Sequence, residues 1–483
     1  MSLGAFCGCG WSGGEDTVCG MIAEQFYPDE LADVLAQTSE LRQAFLVGGC
    51  VRDWLLEQAP KDFDVEVFGI SYEALERALR RWGRTDWVGR SFGVVKLTLP
   101  SGACYDFTIP RRDSKVGPGH QGFTVEFGAD ITPPEAAARR DYTINALSYD
   151  PRTGQVVDFF GGTEDLQRRL LRHTSDAFAE DPLRVLRGMQ FAGRFGLSAA
   201  PETLALCQKI RAGYRELAVE RVREEWFKWA AKSTVPSAGL KFLAASGWLE
   251  HFPEIAAMCG VPQDSEWHPE GDVFIHTGHA CDALARQAAW QQADEESRIV
   301  FMLATLAHDF AKAGTTQQIL REGRLRVVSP GHEVAGVPLT ESFLERINAP
   351  HAIRERVLPL VANHMAHLEG ISDRSVRRLA RRLTPASVQE LCLIMTADAL
   401  GRPPKAAVPA GIAEIQAKAK ELQVQDQAPK PILLGRHLIA QGRRPGPEFG
   451  ALLAAAFEAQ LEGSFTDLPG ALAWLGRTER ADP

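Results

Sequence analysis

The sequence predicts an α+β chain, a small α/β domain followed by a long helical region, and three observations carry that expectation. Short β-rich runs, Phe45 to Val47, Phe63 to Phe68, Val94 to Leu99 and Cys104 to Ile109, alternate with helical segments before residue 160. After Asp158-Phe-Phe-Gly-Gly the strand signals nearly vanish, and from about residue 163 apolar side chains recur at helical spacing almost to the end. The length of 483 residues exceeds what one hydrophobic core supports, so two to four domains are expected.

Composition narrows the class. A chain that is 45% hydrophobic and 24% charged is an ordinary water-soluble protein. No apolar run approaches the roughly 20 residues of a membrane helix, and the first twenty residues have neither the basic start nor the apolar core of a secretory signal. A cytoplasmic protein is expected. The net charge of −9 counts against a surface coated in nucleic acid but leaves room for a local basic track. Arg374, Arg377, Arg378, Arg381 and Arg382 make such a stripe at helical spacing, with a solvated helix face as the competing reading. Nine scattered cysteines do not form a disulfide framework; Cys7, Cys9 and Cys19 lack a fourth metal ligand at a recognisable spacing and read as part of a leader.

The first element with chemistry is Phe45-Leu-Val-Gly-Gly-Cys-Val-Arg-Asp53, an apolar strand running into a glycine pair and a helix start. Without Cβ atoms at Gly48 and Gly49 the backbone can approach a ligand, and the helix-opening N–H groups of Val51 and Arg52 can receive phosphate oxygens. The next strand carries Asp62, Asp64 and Glu66 at every second position, which points them to one face. Three clustered carboxylates suit Mg²⁺ beside substrate phosphates, although a hairpin with a solvated acidic face has the same pattern. Asp106, on a later strand, can complete such a cluster. Arg139-Arg140-Asp141-Tyr-Thr-Ile-Asn145 then offers paired guanidinium groups for triphosphate and an acid and an amide for ribose. Glu180-Asp181-Pro-Leu-Arg184-Val-Leu-Arg187 reads by itself as an N-capped helix with solvated arginines.

These segments, with Glu220-Arg-Val-Arg-Glu-Glu225, resemble class II nucleotidyltransferases, the group of bacterial CCA-adding tRNA nucleotidyltransferases and poly(A) polymerases, in order and spacing over roughly residues 41 to 230. The resemblance implies that Asp62 and Asp64 hold Mg²⁺ with Asp106 as third carboxylate, leaving Glu66 a neighbour. It also implies that Gly48, Gly49 and Arg52 bind triphosphate and that Arg139, Arg140, Asp141 and Asn145 contribute to the nucleotide site. Asp181 and Arg184 would read the base, with Arg187 in support. Cytosine and adenine both present an amino donor beside a ring acceptor, which an aspartate acceptor and an arginine donor can pair.

Seven of the twelve histidines lie between His268 and His364. His308-Asp309 sits in the apolar run Phe301 to Phe310, where an adjacent imidazole and carboxylate would be costly unless hydrogen-bonded or metal-bound. The order His276, His308-Asp309, Asp398 is similar to HD phosphohydrolases, with His332 and His364 as candidate second-metal ligands and Ala311 standing where that family commonly has glycine. The implied ion is a divalent transition metal serving phosphate-ester hydrolysis; a purely structural cluster is the alternative.

The expected organisation is a leader with a first helix (1–40), a nucleotidyltransferase palm (41–160), a helical neck (161–232), an HD-type domain (233–405) and a helical tail (406–483). The expected partners are tRNA, ATP and CTP, with no membrane. The motifs equally serve enzymes adding only CC, only A or a poly(A) tail, and a hydrolase whose first domain senses nucleotides is the rival from another class.

Overall fold

The computed structural model describes residues 18–19, 25–88, 93–115, 123–127, 130–405 and 407–481. Cys7, Cys9 and the glycine-rich segment at 117–122 therefore lie outside the described residues. Two compact units are present, one of Met1–Arg184 with Leu197–Glu216 and one of Val185–Gly196 with Leu217–Pro483.

The first unit is built on strands β1 (Val18–Cys19), β2 (Ala44–Val47), β3 (Asp64–Val67), β4 (Arg84–Val88), β5 (Val94–Thr98), β6 (Cys104–Thr108), β9 (Ser148–Asp150) and β10 (Gln155–Val157), in the sheet order β1-β10-β9-β2-β3-β6-β5-β4. Strands β7 (Arg111–Lys115) and β8 (Phe123–Phe127) form a separate antiparallel hairpin. Within the large sheet only β3 and β6 run parallel. Alternation sets up two faces. Leu46, Val65, Phe107 and Val95 are neighbours in register and fully buried, whereas the flanking row Asp64, Asp106, Lys96 is polar. Helix Asp29–Gln37 buries Leu31, Val34 and Leu35, the i, i+3, i+4 positions of one stripe, and helix Tyr72–Leu79 buries Leu75 and Leu79. A short parallel pair, β11 (Leu170–Leu171) with β12 (Ser198–Ala199), completes the unit.

Among its described residues the second unit is helical, with one exception. Antiparallel strands β13 (Gln317–Arg321) and β14 (Arg324–Val328) interrupt the helices between Asp309 and His332, in a region where sequence patterning indicated helices alone. Helix Glu295–Ala307 has no polar face from Ile299 to Ala307, and every one of those residues is buried. Trp226 packs edge-on against Phe252 and Phe343, with centroids 4.9 and 5.2 Å apart. A satellite core of Leu433, Leu438, Ala456, Phe465, Ala471 and Leu475 forms under the last helices. No described helix is long and apolar enough to cross a membrane.

The arginine stripe of helix Asp373–Leu383 is used within the chain. Arg374 and Arg378 each lie 2.8 Å from Glu462, and Arg378 and Arg381 pair with Glu458 of helix Glu448–Leu461 and its C-terminal end. Three of the five arginines thus share two glutamates within the chain, while Arg374, Arg378, Arg381 and Arg382 keep 38–55% of their side chains exposed on a solvated face.

Candidate active site and histidine cluster

Parallel pairing of β3 with β6 places Asp64 opposite Asp106. Asp106 Oδ1 is buried with no hydrogen-bond partner, a costly state for a carboxylate. Burial raises the Asp64 pKa above the usual aspartate value; Arg140 opposes the rise, and the charges of Asp106, Asp62 and Glu66 add to it. Asp62 stands just ahead of β3, exposed, rather than on it. An orphaned carboxylate oxygen and mutual repulsion are what a divalent cation would relieve, so the Asp64–Asp106 pair fits Mg²⁺, whereas the ligand atoms of Asp62, Asp64 and Asp106 do not all lie within 4.8 Å of one another. Glu66 is otherwise engaged, its Oε2 3.2 Å from Arg140 Nη2. Lys96, cross-strand to Asp106, belongs to the same polar row and escaped the sequence reading; the alternation of Val94 to Thr98 was the available signal.

The glycine turn and the 139–145 segment form one network. Gly48 has φ +72° and precedes helix Gly49–Leu55; a Cβ there would meet Arg140 Nη1 at 2.7 Å. Arg140 also donates to the Asn145 carbonyl at 3.2 Å. Arg52 donates to Asn145 Oδ1 and pairs with Asp53 at 2.6 Å, while Asn145 Nδ2 donates to Asp141 Oδ1 at 2.9 Å. Thus Gly48, Arg52, Arg140, Asp141 and Asn145 are brought together, and Gly49 opens the helix carrying Arg52. Arg139 pairs with Glu180 at 3.0 Å and its carbonyl accepts from Arg184 Nη2 at 2.6 Å. Asp181 Oδ1 accepts the Leu183 N–H at 3.1 Å, capping helix Leu183–Phe195. Arg187, on that helix, lies 5.3 Å from the Phe191 ring centroid.

In the second unit, helices Val273–Ala285, Glu295–Ala307 and Val388–Leu400 deliver His276, His308-Asp309 and Asp398 to one buried cluster. His276 Nε2 is 3.0 Å from Asp398 Oδ1, and Nδ1 is 2.8 Å from Glu270 Oε1. Burial by itself would lower the His276 pKa, but the hydrogen bonds to Asp398 and Glu270 outweigh it and raise it. Asp309 Oδ1 lies 3.3 Å from His332 Nε2 and 4.0 Å from His364 Nε2. Neither Asp309 oxygen nor His308 Nε2 has an aligned hydrogen-bond partner, although Lys312 Nζ approaches Asp309 Oδ2 to 2.8 Å. Burial favours the neutral acid, yet His308 and Lys312 hold the Asp309 pKa well below the usual range. Burial, with His308 and His332 adding to it, pushes His364 down to about 3, which keeps its imidazole neutral and able to ligate. Among the described residues three groups, His268/Glu270/His276, His276/His308/Asp398 and Asp309/His332/His364, have ligand atoms close enough to share an ion, and imidazole with carboxylate suits a divalent transition metal.

Three residues of this cluster were not picked out from the sequence as functional. Glu270 Oε1 accepts from both His268 Nδ1 and His276 Nδ1 at 2.8 Å, and Arg402 clamps both oxygens of Asp398 at 2.8 and 2.9 Å. His268 and Glu270 lie in the Pro262 to Gly271 loop, whose proline and glycine read as a break in the helical region and masked an acid six residues before His276.

The register-paired carboxylates of the first unit are the candidate site of a nucleotidyltransferase, and the second unit carries a separate buried histidine–aspartate cluster. Residues 44–172 match the family model of the poly A polymerase head domain, and residues 273–402 match that of the HD domain. The multifunctional CCA protein of Xanthomonas campestris pv. campestris (strain B100) is 34% identical over 428 residues, covering 85% of this chain and 96% of the relative. The chain belongs to the multifunctional CCA protein family. Among solved structures, the Bacillus stearothermophilus CCA-adding enzyme in complex with CTP shares the fold at TM-score 0.63 and 19% identity, over 94% of this chain and 99% of that one. The Thermotoga maritima CCA-adding enzyme complexed with tRNA shares it at TM-score 0.56 and 19% identity, over 90% and 91%.

Proposed function

We propose that the protein is a template-independent nucleotidyltransferase that adds C and A residues to the 3′ end of tRNA from CTP and ATP. The observation that carries this reading is the Asp64–Asp106 register pair with its orphaned buried oxygen. Family membership supports it, as do relatives of this fold solved with CTP and with tRNA.

In this reading the RNA 3′ hydroxyl oxygen bonds to the α-phosphorus, the α–β anhydride bond breaks, pyrophosphate leaves, and the hydroxyl proton passes to solvent. Asp62 and Asp64, with Asp106, would hold Mg²⁺, which when bound would supply positive charge for the entering and leaving oxygens. Gly48 and Gly49 let the triphosphate approach the backbone, Arg52 and Arg139 contribute positive charge, and Arg140 fixes the turn from behind. Asn145 holds Arg52 and Asp141 in one frame. Asp181 and Arg184 present an acceptor and a donor to the base edge, with Arg187 further along the same helix. Catalysis is then positioning and charge stabilisation rather than covalent chemistry.

The deciding experiment incubates the protein with tRNA lacking its 3′ end and with each nucleotide singly and together. Ordered addition of two C residues and one A supports the reading. Addition of C alone or A alone, or ATP-dependent tails longer than three residues, assigns one of the narrower activities instead.

A second reading concerns the histidine cluster, because Asp309 is buried with no aligned partner on either oxygen. His276, His308, Asp309 and Asp398 would hold a divalent transition metal, with His332 and His364 extending the donor set, and the ion would serve hydrolysis of phosphate esters. The oxygen of water bonds to phosphorus, and the ester oxygen leaves as an alcohol carrying the proton. Metal-dependent release of p-nitrophenol from its phosphate ester, abolished by His308→Ala, is expected; a metal-loaded protein without that activity has a structural cluster only.

A further inference from the structure

The β13–β14 hairpin, inserted between Asp309 and His332, has a face that neither proposed activity uses. Register sets Arg321 opposite Arg324 and Ile319 opposite Arg326, so alternation puts the three arginines on one face. That face meets the loop before His268, where Arg326 lies 3.2 Å from Asp264 and 2.5 Å from Glu266. Asp264, Trp267, Arg321, Glu322, Arg324 and Arg326 line an open cavity of about 650 Å³.

Two features of the cavity indicate an anionic, planar ligand. Arg321 and Arg324 are like charges directly across a strand pair, which is destabilising by itself, and no carboxylate lies within ion-pair distance of either among the described residues. Trp267 is 61% exposed on the cavity wall, where its ring offers a stacking surface beside guanidinium groups.

Two lining residues, Trp267 and Val328, adjoin the histidine cluster along the chain, and Gln263, next to the lining residue Asp264, bonds a residue of the cluster. Trp267 immediately precedes His268, which shares Glu270 with His276. Val328 precedes Ser329, whose carbonyl accepts from His332 Nδ1 at 2.7 Å. Gln263 Oε1 accepts from Lys312 at 2.9 Å, and Lys312 reaches Asp309.

We propose that this cavity is a nucleoside-phosphate site in which Arg321 and Arg324 hold phosphate oxygens and Trp267 stacks the base. The assignment of a substrate class to the neighbouring cluster rests on its hydrolase reading; the binding site itself does not. A free nucleotide and the terminal nucleotide of an RNA present the same chemistry.

The test is calorimetric binding of AMP, of inorganic phosphate and of a short oligonucleotide with a 3′ phosphate to the full chain in chelator. Wild type is compared with Trp267→Ala and the double variant Arg321→Glu/Arg324→Glu. The expected result is a loss of at least about fivefold in AMP affinity for Trp267→Ala with phosphate binding unchanged. The arginine variant is expected to lose about tenfold for AMP and phosphate alike. CTP incorporation into tRNA stays at the wild-type level in both, which shows that they fold. A preference for AMP identifies free nucleotide as the occupant, and a preference for the oligonucleotide identifies an RNA end. Unchanged AMP and oligonucleotide affinities in both variants overturn the site. Metal-dependent hydrolysis of p-nitrophenyl phosphate is measured alongside: its absence, with binding intact and dependent on Trp267, defeats the hydrolase reading and leaves the site standing.

Discussion

Glu66 Oε2 lies 3.2 Å from Arg140 Nη2, and the same guanidinium donates to the Asn145 carbonyl and fills the space a Cβ at Gly48 would need. The third acid of the strand is thereby tied to the glycine turn, and Asp64 and Asp106 are left facing each other across the parallel pair.

Asp106→Asn should separate activity from stability. Nucleotide incorporation is expected to fall by about 100- to 1,000-fold or more, since a carboxylate of the metal cluster is lost. Melting temperature without metal should be equal to or above wild type, because one of two carboxylates facing each other across the strand pair has become neutral. A folded Asp106→Asn variant with unimpaired incorporation would remove Asp106 from the catalytic centre.

Gly48→Ala forces a side chain onto a positive φ and into Arg140, at an expected cost of about 1–3 kcal/mol in unfolding free energy. Because Arg140 must move, KM for CTP and ATP should rise together. Denaturant titration and steady-state kinetics on the same preparation check both effects.

Glu270 gives a pH signature. Burial would raise its pKa, but hydrogen bonds from His268 and His276 bring it from 4.5 down to about 2. A depressed folded pKa means the folded state binds fewer protons, so the stabilisation is complete above the ordinary glutamate value and is lost as pH falls toward about 2. The difference in urea midpoint between wild type and Glu270→Gln, in chelator, should be largest near pH 6 and should shrink by about pH 3. A difference that stays constant across this range would mean that the charge of Glu270 contributes nothing.

Arg378→Ala and Arg381→Ala should leave the salt dependence of tRNA affinity unchanged, because Glu458 and Glu462 already occupy these guanidinium groups. Their cost should fall on the docking of helix Glu448–Leu461, at about 0.2–1 kcal/mol per exposed pair, visible as faster amide exchange there. A salt slope shallower by about one unit per arginine would return the stripe to RNA binding.

The apolar strands 44–47, 64–67, 94–98 and 104–108 were legible because hydrophobic alternation survives in a half-buried sheet. Strand β4 was not, since Arg84 and Asp86 break its pattern at the sheet edge, and β13–β14 was missed because Gln317, Gln318, Arg321 and Arg324 leave too few apolar positions to show a period. Asp64 and Asp106 could be paired as candidates from sequence, but their register could not, because the parallel crossover that brings them together runs through a helix and two other strands. For the basic stripe, spacing revealed the helical face, while the glutamates that match it come from a helix far along the chain. Glu270 and Arg402 were hidden for a similar reason: they act through His276 and Asp398, and no local motif marks a residue whose role is to orient another.

The histidine cluster also bears on the mechanics of the chain. His276 and Asp398, 122 residues apart in sequence, end 3.0 Å from each other. An ion gripping both would act as a removable cross-link, and closing a loop of that size restricts the unfolded chain by about 4–5 kcal/mol in the entropy account used for disulfides. The helices of the second unit would then be fastened by whatever free metal their surroundings supply, so that their lifetime against heat and proteases becomes a readout of metal supply.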